Sequence, residues 1–511
     1  MSASGLAILT IALFCCFGLF PRVYSEPALL GSFGIGAAAL TLFFLYVRAS
    51  ARSAGRTLVF EVLLNKVHIV QLIMQVSIFT YWGFYWKEVG GHIPLILAQV
   101  VFVYALDMLV CWSRRDKWVL GFGPVPIVLS ANLFLWFKDD WFWLQFLLIS
   151  TGVIFKEYVR WNRGGRSVHI FNPSAIALFL FSLALIFTNS TGITWGAEIA
   201  GTTPRPPLIF LELFILGLVV QGLFSVTMVT LSCAVVFLGF GLWFSHATGQ
   251  YYFVDSNING AVFLGMLLLV TDPATSPRRL TGKAIFGALY GVGVLVLYWI
   301  LQANHQPQFY DKLLCVPLLN LMVRGLDRFS EKFAAGFHPL RLLDRLGPRG
   351  VNYLQMAMWS GIFVFMYSTG FLGRGLQQKM ECEDDNAKAC TEYGKLMIDA
   401  KAGPVSKVRA GESLGHACTM GLADSCEALA VMVRSGDGLS QLKNECTDGG
   451  NKVVCYVTGW IFAKGLGVSP DVPAAKPYFE RACEDGFAPG CNAVEQLRML
   501  EQRFGVGAAG R

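Results

Sequence analysis

Long apolar stretches separated by short polar loops fill the chain up to about residue 372. A membrane-spanning helix needs about 20 mostly apolar residues, or fewer where protein shields it. Thirteen stretches approach that requirement, near residues 5–20, 28–47, 67–86, 93–113, 117–136, 141–159, 173–189, 207–221, 223–246, 257–271, 284–302, 312–323 and 352–372. The pattern predicts an all-α fold whose larger part is a polytopic helical membrane bundle.

Two proline-broken polar strings interrupt this apolar sequence. They are His169-Ile-Phe-Asn172-Pro173-Ser174 and Thr271-Asp272-Pro273-Ala274-Thr275-Ser276-Pro277. Proline removes a backbone donor and ends a helix, so a break at membrane depth requires protein or a water-lined cavity to satisfy the freed groups. Paired broken helices in the two halves of a membrane protein mark a binding site. The candidate ligand-binding residues are therefore Asn172, Pro173, Ser174, Thr271, Asp272, Thr275 and Ser276.

These polar side chains have two possible roles. Asn172 and Asp272 stand directly before prolines, where a side-chain oxygen caps the following helix or turn, and this structural role is sufficient to explain them. Alternatively, the exposed helix ends hold a flavin ring, a cation or a quinone headgroup, with Asp272 as the ionisable member. On that interpretation Arg278 or Arg279 is the expected partner of the carboxylate.

Composition and charge fix the broad class and an orientation. The chain is 54% hydrophobic and only 15% charged, with a mean hydropathy of +0.52, which excludes a soluble enzyme of this length and gives no sign of a nucleic-acid partner. Lysine and arginine collect after alternate stretches, as they do in cytoplasmic loops. These cations include Arg48, Arg52, Arg56, Arg114, Arg115, Lys117, Arg160, Arg163, Arg166, Arg278, Arg279, Lys283, Arg324, Arg328, Lys332, Arg341, Arg345 and Arg349. We therefore expect a cytoplasmic N-terminus and an external location for everything after about residue 373.

The first apolar stretch, Leu6 to Phe20, also resembles a signal peptide. No lysine or arginine precedes it and no clear A-x-A cleavage site follows it, so we expect it to be retained.

Eight of the thirteen cysteines lie beyond residue 380 and form four local pairs, Cys382/Cys390, Cys418/Cys426, Cys446/Cys455 and Cys483/Cys491. Eight residues of straight helix span about 12 Å, too far for a disulfide, but a glycine between the cysteines lets the chain turn back. The regular pairing favours disulfides in an oxidising compartment. Zinc is the alternative, although its ligands usually lie two to four residues apart and no CxxC occurs here.

The pairs recur at intervals of 36, 28 and 37 residues, the range of helical repeat arrays. The segment from Gly459-Trp-Ile-Phe-Ala-Lys-Gly465 to Ala482-Cys483-Glu-Asp-Gly486-Phe-Ala-Pro-Gly490-Cys491 resembles Sel1-like repeats of the cysteine-rich type. The resemblance covers about residues 380–500. It implies stacked αα-hairpins that act as a scaffold for protein contacts.

A second resemblance covers roughly residues 50–330. It is carried by Asn172-Pro173-Ser174, Asn259-Gly260, the Thr271–Pro277 string, Gly282-Lys283 and Gly287-Ala-Leu-Tyr-Gly291, which are similar to the RnfD/NqrB family of membrane subunits. The resemblance implies an inverted-repeat bundle with broken helices, and FMN or riboflavin as cofactor. In the family a threonine in an outer loop carries FMN. Gly201-Thr202-Thr203 keeps part of that motif, which makes Thr203 the candidate flavin-bearing residue and a plain proline-rich turn the alternative.

The predicted organisation is therefore an N-terminal transmembrane extension (1–50), an RnfD/NqrB-like core (51–330), a basic loop with a last transmembrane helix (331–379), Sel1-like repeats (380–500) and a tail (501–511). The resemblance implies a subunit of a flavin-linked, ion-coupled electron transport system in a bacterial inner membrane. Its partners would be other membrane or periplasmic electron-transfer proteins, the lipid bilayer and a protein bound by the repeats. A non-redox channel or transporter is the alternative. No nucleotide-binding loop, dinucleotide fingerprint, catalytic triad or metal motif indicates an independent enzyme.

Overall fold

The computed structural model describes residues 3–163, 165–248, 251–253, 256–336, 347–373, 375–399 and 406–504. Regular structure in these ranges is almost entirely helical, which confirms the all-α class. The helices are α1 Ala3–Cys16, α2 Pro21–Tyr24, α3 Pro27–Ser53, α4 Lys66–Tyr85, α5 Lys87–Arg114, α6 Val125–Asn132, α7 Trp143–Tyr158, α8 Pro173–Phe187, α9 Gly196–Thr202, α10 Ile209–Phe224, α11 Thr227–Thr248, α12 Gly260–Leu264, α13 Leu280–Ala303, α14 Asp311–Gly336, α15 Gly347–Thr369, α16 Leu376–Glu383, α17 Ala387–Ile398, α18 Lys407–Thr419, α19 Ala423–Arg434, α20 Gly438–Thr447, α21 Lys452–Lys464, α22 Val472–Glu484 and α23 Ala488–Phe504.

Two small pairs of strands join some of these helices. The strands are β1 Val59–Val62, β2 Lys117–Leu120, β3 Arg160–Arg163 and β4 Arg166–His169. β1 pairs in parallel with β2, with Val59 opposite Lys117. β3 and β4 form an antiparallel hairpin in which Arg160 lies opposite His169, so the hairpin leads directly into the first proline break.

Within the described residues, five helices have the length and apolar composition of membrane spans: α3, α4, α5, α11 and α13. Shorter apolar helices cover Ala3–Leu19, Pro173–Phe187, Ile209–Phe224 and Gly260–Leu269. A broken helix cannot reach full spanning length, so the short apolar helices are what proline and glycine breaks produce. The chain therefore has the helical composition of a membrane protein, with fewer full-length spans than the thirteen apolar stretches suggested.

The segment 117–136 departs most from the sequence expectation. It begins as strand β2, and only the eight residues of α6 are α-helical. Gly121, Gly123, Pro124 and Pro126 lie at the change, where glycine flexibility and missing proline donors oppose a continuous helix. The segment 257–271 is also shorter than expected, because α12 passes after five residues into a π-helix at Gly265–Leu269.

The described chain forms two compact units, the first made from Met1–Gly239 and Asn259–Phe365. Its N-terminal helices are firmly packed into it. Phe14 of α1 is fully buried and its ring lies 5.2 Å from Phe33 of α3, 5.5 Å from Phe102 of α5 and 5.2 Å from Phe146 of α7. The predicted N-terminal extension is thus an integral layer of this unit.

The second unit contains Phe240–Ile258 and the described part of Met366–Arg511. Four disulfides join the last turn of one helix to the first turn of the next, with Cα–Cα distances of 4.5–4.8 Å, and confirm the predicted pairs Cys382–Cys390, Cys418–Cys426, Cys446–Cys455 and Cys483–Cys491. Gly421 and Gly486 turn the chain with positive φ, as expected. The first pair encloses no glycine, and Asp385 adopts the left-handed conformation there instead.

Successive tail helices share one apolar core that includes Tyr393, Met397, Leu414, Leu429, Leu442, Val457 and Ile461. Glycine lets neighbouring helices approach closely: a Cβ added at Gly459 would lie 2.6 Å from the Phe479 ring.

Among the predicted loop cations, Arg324, Arg328 and Lys332 lie on α14. Arg341 and Arg345 lie outside the described residues, as do residues 505–511 of the predicted tail.

Candidate functional site

Both proline breaks border one polar cavity of about 180 Å³ in the first unit. From the two strings it is lined by His169, Asn172, Pro173, Ser174, Thr271 and Asp272. Thr275 and Ser276 lie behind this lining. The two strings are distant in sequence, and yet the Asn172 side chain donates a hydrogen bond to the backbone carbonyl of Leu269, 97 residues away and two residues before the second string. The cavity is therefore built where the two breaks meet.

Asn172 caps α8 and ties it to the second break. Its Oδ1 accepts hydrogen bonds from the Ala175 amide at 3.3 Å and from the Ser174 hydroxyl at 2.9 Å. Its Nδ2 donates to the Leu269 carbonyl at 3.1 Å, the last residue of the π-helix. Because Asn172 is only 8% exposed, these bonds satisfy most of the hydrogen-bonding capacity of a largely buried amide. One amide side chain thus satisfies freed backbone groups of both breaks.

Asn320 of α14 makes a second link between the breaks. Its Oδ1 accepts the Asn172 backbone N–H at 3.1 Å, and its Nδ2 donates to the Thr275 carbonyl at 3.2 Å. The side chain is 1% exposed. Asn320 therefore holds both proline strings against α14.

Asp272 organises the second break as an Asx turn. Its Oδ1 accepts the Ala274 amide at 3.1 Å and its Oδ2 accepts the Thr275 hydroxyl at 3.0 Å. Ser276 donates to the Asp272 carbonyl at 2.7 Å, and Thr271 donates to the Leu267 carbonyl at 2.6 Å. The structural capping role expected of Asp272 is thus present in the fold, whereas the Thr271 and Ser276 hydroxyls donate to carbonyls of their own turns.

The side chain that faces the Asp272 carboxylate is His169, whose Nε2 lies 3.5 Å from Oδ2. The expectation that Arg278 or Arg279 pairs with Asp272 is wrong. Arg278 donates its backbone N–H to Asp327 and its guanidinium to the Arg163 carbonyl, while Arg279 faces Glu331 at 4.0 Å. The β3–β4 hairpin turns His169 toward Asp272 because it ends directly before the first break.

A buried arginine, Arg163, forms hydrogen bonds with the backbone of the second break. Arg163 donates to the Asp327 carboxylate at 2.6 Å and to the backbone carbonyls of Ala274 and Ser276 at 3.2 and 2.8 Å. Arg163 is 8% exposed, so pairing and hydrogen bonding offset the cost of burying its charge. The loop 272–278 is therefore held on two sides, by Arg163 and by Asn320.

The opposite wall of the cavity carries polar side chains as well, namely His68, Gln71 and Gln75 of α4, Ser130 of α6 and Lys156 of α7. Apolar side chains, among them Met74, Ile127, Val220, Phe224 and Leu268, complete the lining. Gln75 Nε2 donates to Ser130 Oγ at 2.7 Å, whereas its buried Oε1 has no hydrogen-bond partner among the described residues. A buried acceptor of this kind requires water or a ligand group.

Thr203 lies elsewhere in the first unit. It follows α9, and the neighbouring Pro204 packs on Gly260, at the opposite end of the α12–π segment from Asp272. Thr203 is only 5% exposed, and its hydroxyl donates a hydrogen bond to the Ile199 carbonyl at 2.6 Å.

The surroundings of Thr203 and the size of the cavity show whether either could hold the flavin that the resemblance implies. A phosphodiester needs a threonine oxygen that a bulky ligand can reach, and Thr203 does not offer one. The cavity at the breaks is also smaller than the roughly 300–1,000 Å³ of drug-sized ligand sites. The residues therefore do not fit a covalently held FMN at Thr203 or an isoalloxazine ring enclosed at the breaks.

Two acidic residues inside apolar helices have their own partners. Asp107 accepts the Trp118 indole N–H at 2.9 Å and lies 4.0 Å from Lys156 Nζ. Glu212 accepts the Ser77 hydroxyl at 2.8 Å. Neither lines the cavity. Asp107 is nevertheless coupled to it through Lys156, which does.

Comparison of the chain with protein-family models, with curated proteins and with solved structures finds no match. The site must therefore be interpreted from its own geometry.

The candidate residues predicted from the sequence did not include six polar side chains of the cavity, His68, Gln71, Gln75, Ser130, Lys156 and His169, or the bridging Asn320. A signal for some of them was available. His68, Gln71 and Gln75 recur at helical spacing on one face of an otherwise apolar helix. The string Gly121-Phe-Gly123-Pro124-Val-Pro126 marks a third break in apolar sequence, which positions Ser130. Asn320 had no local signal, because its partners are distant in sequence.

Proposed function

We propose that this protein is an integral membrane transport protein that binds a small polar or charged species in the cavity where its two proline breaks meet. The observation that carries the proposal is the convergence of both breaks, with Asp272 and His169, on that one cavity. Broken helices that meet at a polar cavity are a recurrent design of membrane transporters. The inverted-repeat arrangement of broken helices belongs to the same proposal.

The lining indicates what the species would be. The cavity offers one carboxylate, one ammonium group, two imidazoles, and amide and hydroxyl groups, from Asp272, Lys156, His68, His169, Gln71, Gln75, Ser130, Asn172 and Ser174. Such a mixture suits a hydrated ion, a proton or a small polar solute. An intramembrane ionisable residue is costly and is retained where it binds or relays something.

The proposed location is a bacterial inner membrane, with the N-terminus in the cytoplasm and the tail outside. Four disulfides in the tail support an oxidising compartment, and the cations on α14 support a cytoplasmic end for that helix. A membrane-impermeant thiol reagent applied from outside should label the tail cysteines only after reduction. Labelling of these cysteines from the cytoplasmic side without reduction would contradict this orientation.

The transport proposal can be tested electrically. Proteoliposomes adsorbed on a solid-supported membrane are exposed in turn to gradients of H⁺, Na⁺, K⁺ and small anions. At least one gradient should produce a current in the wild type that Asp272→Asn abolishes. Glu212→Gln is the matched control, because Glu212 is a carboxylate in an apolar helix that does not line the cavity, and its variant should keep the current. A current that survives in Asp272→Asn would contradict the assigned role of the carboxylate, and silence in every gradient would favour the second candidate.

That candidate is a membrane subunit of a flavin-linked electron transport system with other membrane or periplasmic electron-transfer proteins as partners. The strings that resemble the RnfD/NqrB family are the ones that meet at the cavity, and this convergence favours it. Because neither Thr203 nor the cavity fits a flavin, the group would be held elsewhere on the protein, where it would supply one- or two-electron redox chemistry. Purified protein should then show the visible absorbance of oxidised flavin. If the flavin absorbance separates from the protein on denaturation, covalent attachment is excluded. If freshly purified protein shows no flavin absorbance, this candidate is eliminated for the isolated subunit.

For the tail we propose a scaffold that binds a protein outside the cell membrane, as the resemblance to Sel1-like repeats implies. Stacked αα-hairpins present extended faces suited to such contacts. Removing residues 380–511 should leave membrane insertion intact and remove one external partner from crosslinked complexes. Failure of the truncated chain to insert would contradict this division of roles.

A further inference from the structure

An apolar groove of about 420 Å³ lies between three helices of the first unit and shares no lining residue with the polar cavity. It lies between α3, α5 and α7 and is lined by Leu40, Phe43, Phe102, Val110, Ile154 and Tyr158. Nearly all of the lining is hydrocarbon or aromatic. In a protein with membrane-spanning helices, such a groove takes an apolar chain.

The three helices run in the same direction, so the groove has a defined end. Phe44 of α3 lies 6.4 Å from Trp112 of α5, and Arg56 donates to the Ser113 carbonyl, which brings the C-terminal ends of α3 and α5 together. The Arg114 guanidinium lies 4.4 Å over the ring of Tyr158, the last residue of α7. All three C-terminal ends therefore meet at one end of the groove.

Cations stand at that end. Arg114 is exposed, donates to the Glu157 carbonyl at 2.7 Å and covers Tyr158. Arg48 is one turn beyond Phe44, and its guanidinium lies 5.9 Å over that ring. Its buried Nε has no hydrogen-bond partner among the described residues, and no described carboxylate lies within salt-bridge distance of it. Arg48 is therefore a half-buried cation whose Nε lacks an acceptor in the part of the chain that the structure describes.

We infer that this groove is a specific site for one anionic phospholipid, with an acyl chain between α3, α5 and α7 and the phosphate at Arg48 and Arg114. A lipid of the surrounding annulus would touch the protein without regard to its headgroup. Here the apolar groove ends at Arg48, in the same order in which a phospholipid presents its acyl chain and its phosphate. Basic pockets between membrane helices are known to bind anionic headgroups. The bound lipid would add contacts that hold α3 against α5 and α7.

The test uses full-length protein stripped of lipid in detergent, then incubated with phosphatidylglycerol or phosphatidylcholine of identical acyl chains and examined by native mass spectrometry. One phosphatidylglycerol per chain should be retained, and preferred over phosphatidylcholine by about 25-fold, since each arginine near a headgroup contributes about five-fold. Arg48→Gln should lower this preference about five-fold and leave phosphatidylcholine binding unchanged. Arg328→Gln, on α14, is the control and should have no effect.

A second pair of variants tests whether the lipid chain occupies the apolar groove. Ala39 lines the groove and is exposed, so Ala39→Trp fills it without disturbing the core, and it should reduce retention of both lipids. Ala38 is also exposed and does not line the groove, so Ala38→Trp should behave as the wild type. Equal retention of the two lipids by the wild type, or equal behaviour of the two tryptophan variants, would overturn the inference and leave annular lipid only.

Discussion

The two units use polar chemistry in opposite ways. In the tail, polar residues stand at helix ends and serve the nearest backbone: Asn386, Asn451 and Asp471 each cap the helix that follows them, and disulfides join neighbouring helices. In the first unit, Asn172 and Asn320 join segments about 100 residues or more apart. The tail is thus assembled from local contacts, whereas the site in the first unit depends on a few long-range hydrogen bonds.

This difference reflects the surroundings expected for each unit. Water can satisfy a frayed helix end in a unit that lies outside the membrane, as proposed for the tail, so only the nearest groups need a partner. Inside a membrane bundle no water competes, and each freed amide or carbonyl needs a protein partner or a wet cavity. Buried polar groups therefore concentrate at the breaks, where their removal costs more than the loss of an exposed cap.

Reduction of the tail disulfides should have the largest effect. Closing a loop of eight or nine residues contributes about 2.5 kcal/mol in the chain-entropy account, so four such loops contribute about 10 kcal/mol, comparable to the whole stability of a domain. Reduced protein should expose residues 376–504 to protease, while the first unit, with no disulfide among its described residues, should keep its thermal transition. Protease resistance of a fully reduced tail would show that its apolar core suffices.

Loss of the two hydrogen bonds made by the Asn320 side chain should have the second-largest effect on stability. Asn320→Leu leaves the Asn172 amide and the Thr275 carbonyl without their partners, and each buried orphan costs about 1–3 kcal/mol, so about 4 kcal/mol in total is expected. Thermal denaturation in detergent measures it. Asn304→Ala serves as control, because Asn304 is exposed and bonds only to the Ile300 carbonyl of its own helix. Equal stability of the two variants would remove the contrast between local and long-range polar contacts.

Two variants of Asp272 distinguish its structural role from its proposed role in transport. Asp272→Ala loses the acceptors for Ala274 and Thr275 and should cost about 1–2 kcal/mol, as loss of a cap does. Asp272→Asn keeps one amide oxygen and should cost less than half of that. If the carboxylate binds the transported species, both variants lose transport even though only the alanine variant is clearly destabilised. Normal transport in Asp272→Asn would return this residue to a purely capping role.

The smallest effect is expected at Glu412 in the tail. Burial raises the pKa of this carboxyl group, although contacts with Asn451, Lys379 and Arg409 oppose the rise. Because the folded pKa lies above the unfolded value of about 4.3, the neutral form favours folding at low pH, and that contribution is lost as pH rises. Glu412→Gln should therefore slow amide exchange in α18 at pH 7 and change nothing near pH 4. Faster exchange at pH 7 would indicate a stabilising ion pair instead.

The sequence was informative where the relevant physics is local. The cysteine pairs, the glycine turns at Gly421 and Gly486 and the two proline breaks follow from residues a few positions apart. The partner of Asp272 was predicted wrongly, because the nearest cations in sequence, Arg278 and Arg279, are turned away by contacts with Asp327 and Glu331. Asp385 took the left-handed turn expected of glycine.

Other parts could not be derived from local pattern. The segment 117–136 looked like one apolar helix, yet it forms a strand, a break and the short helix α6. The role of Asn320 depends on partners 45 and 148 residues away. Apolar periodicity predicts that a helix is buried, but it does not predict which distant backbone groups its one amide side chain will satisfy.

The central claim is that the breaks enclose a polar cavity open to small hydrophilic species. Its most direct test is the reactivity of Ser130→Cys, with Ser182→Cys as control. Ser130 lines the cavity, while Ser182 on α8 is fully buried away from it. Cys15 and Cys16 are exposed free thiols and are first replaced by serine. A small cationic thiosulfonate reagent applied from the cytoplasmic side should label Ser130→Cys and block its current, and should leave Ser182→Cys unlabelled. Equal protection of both cysteines would contradict the account, because a dry cavity cannot bind or conduct a polar species.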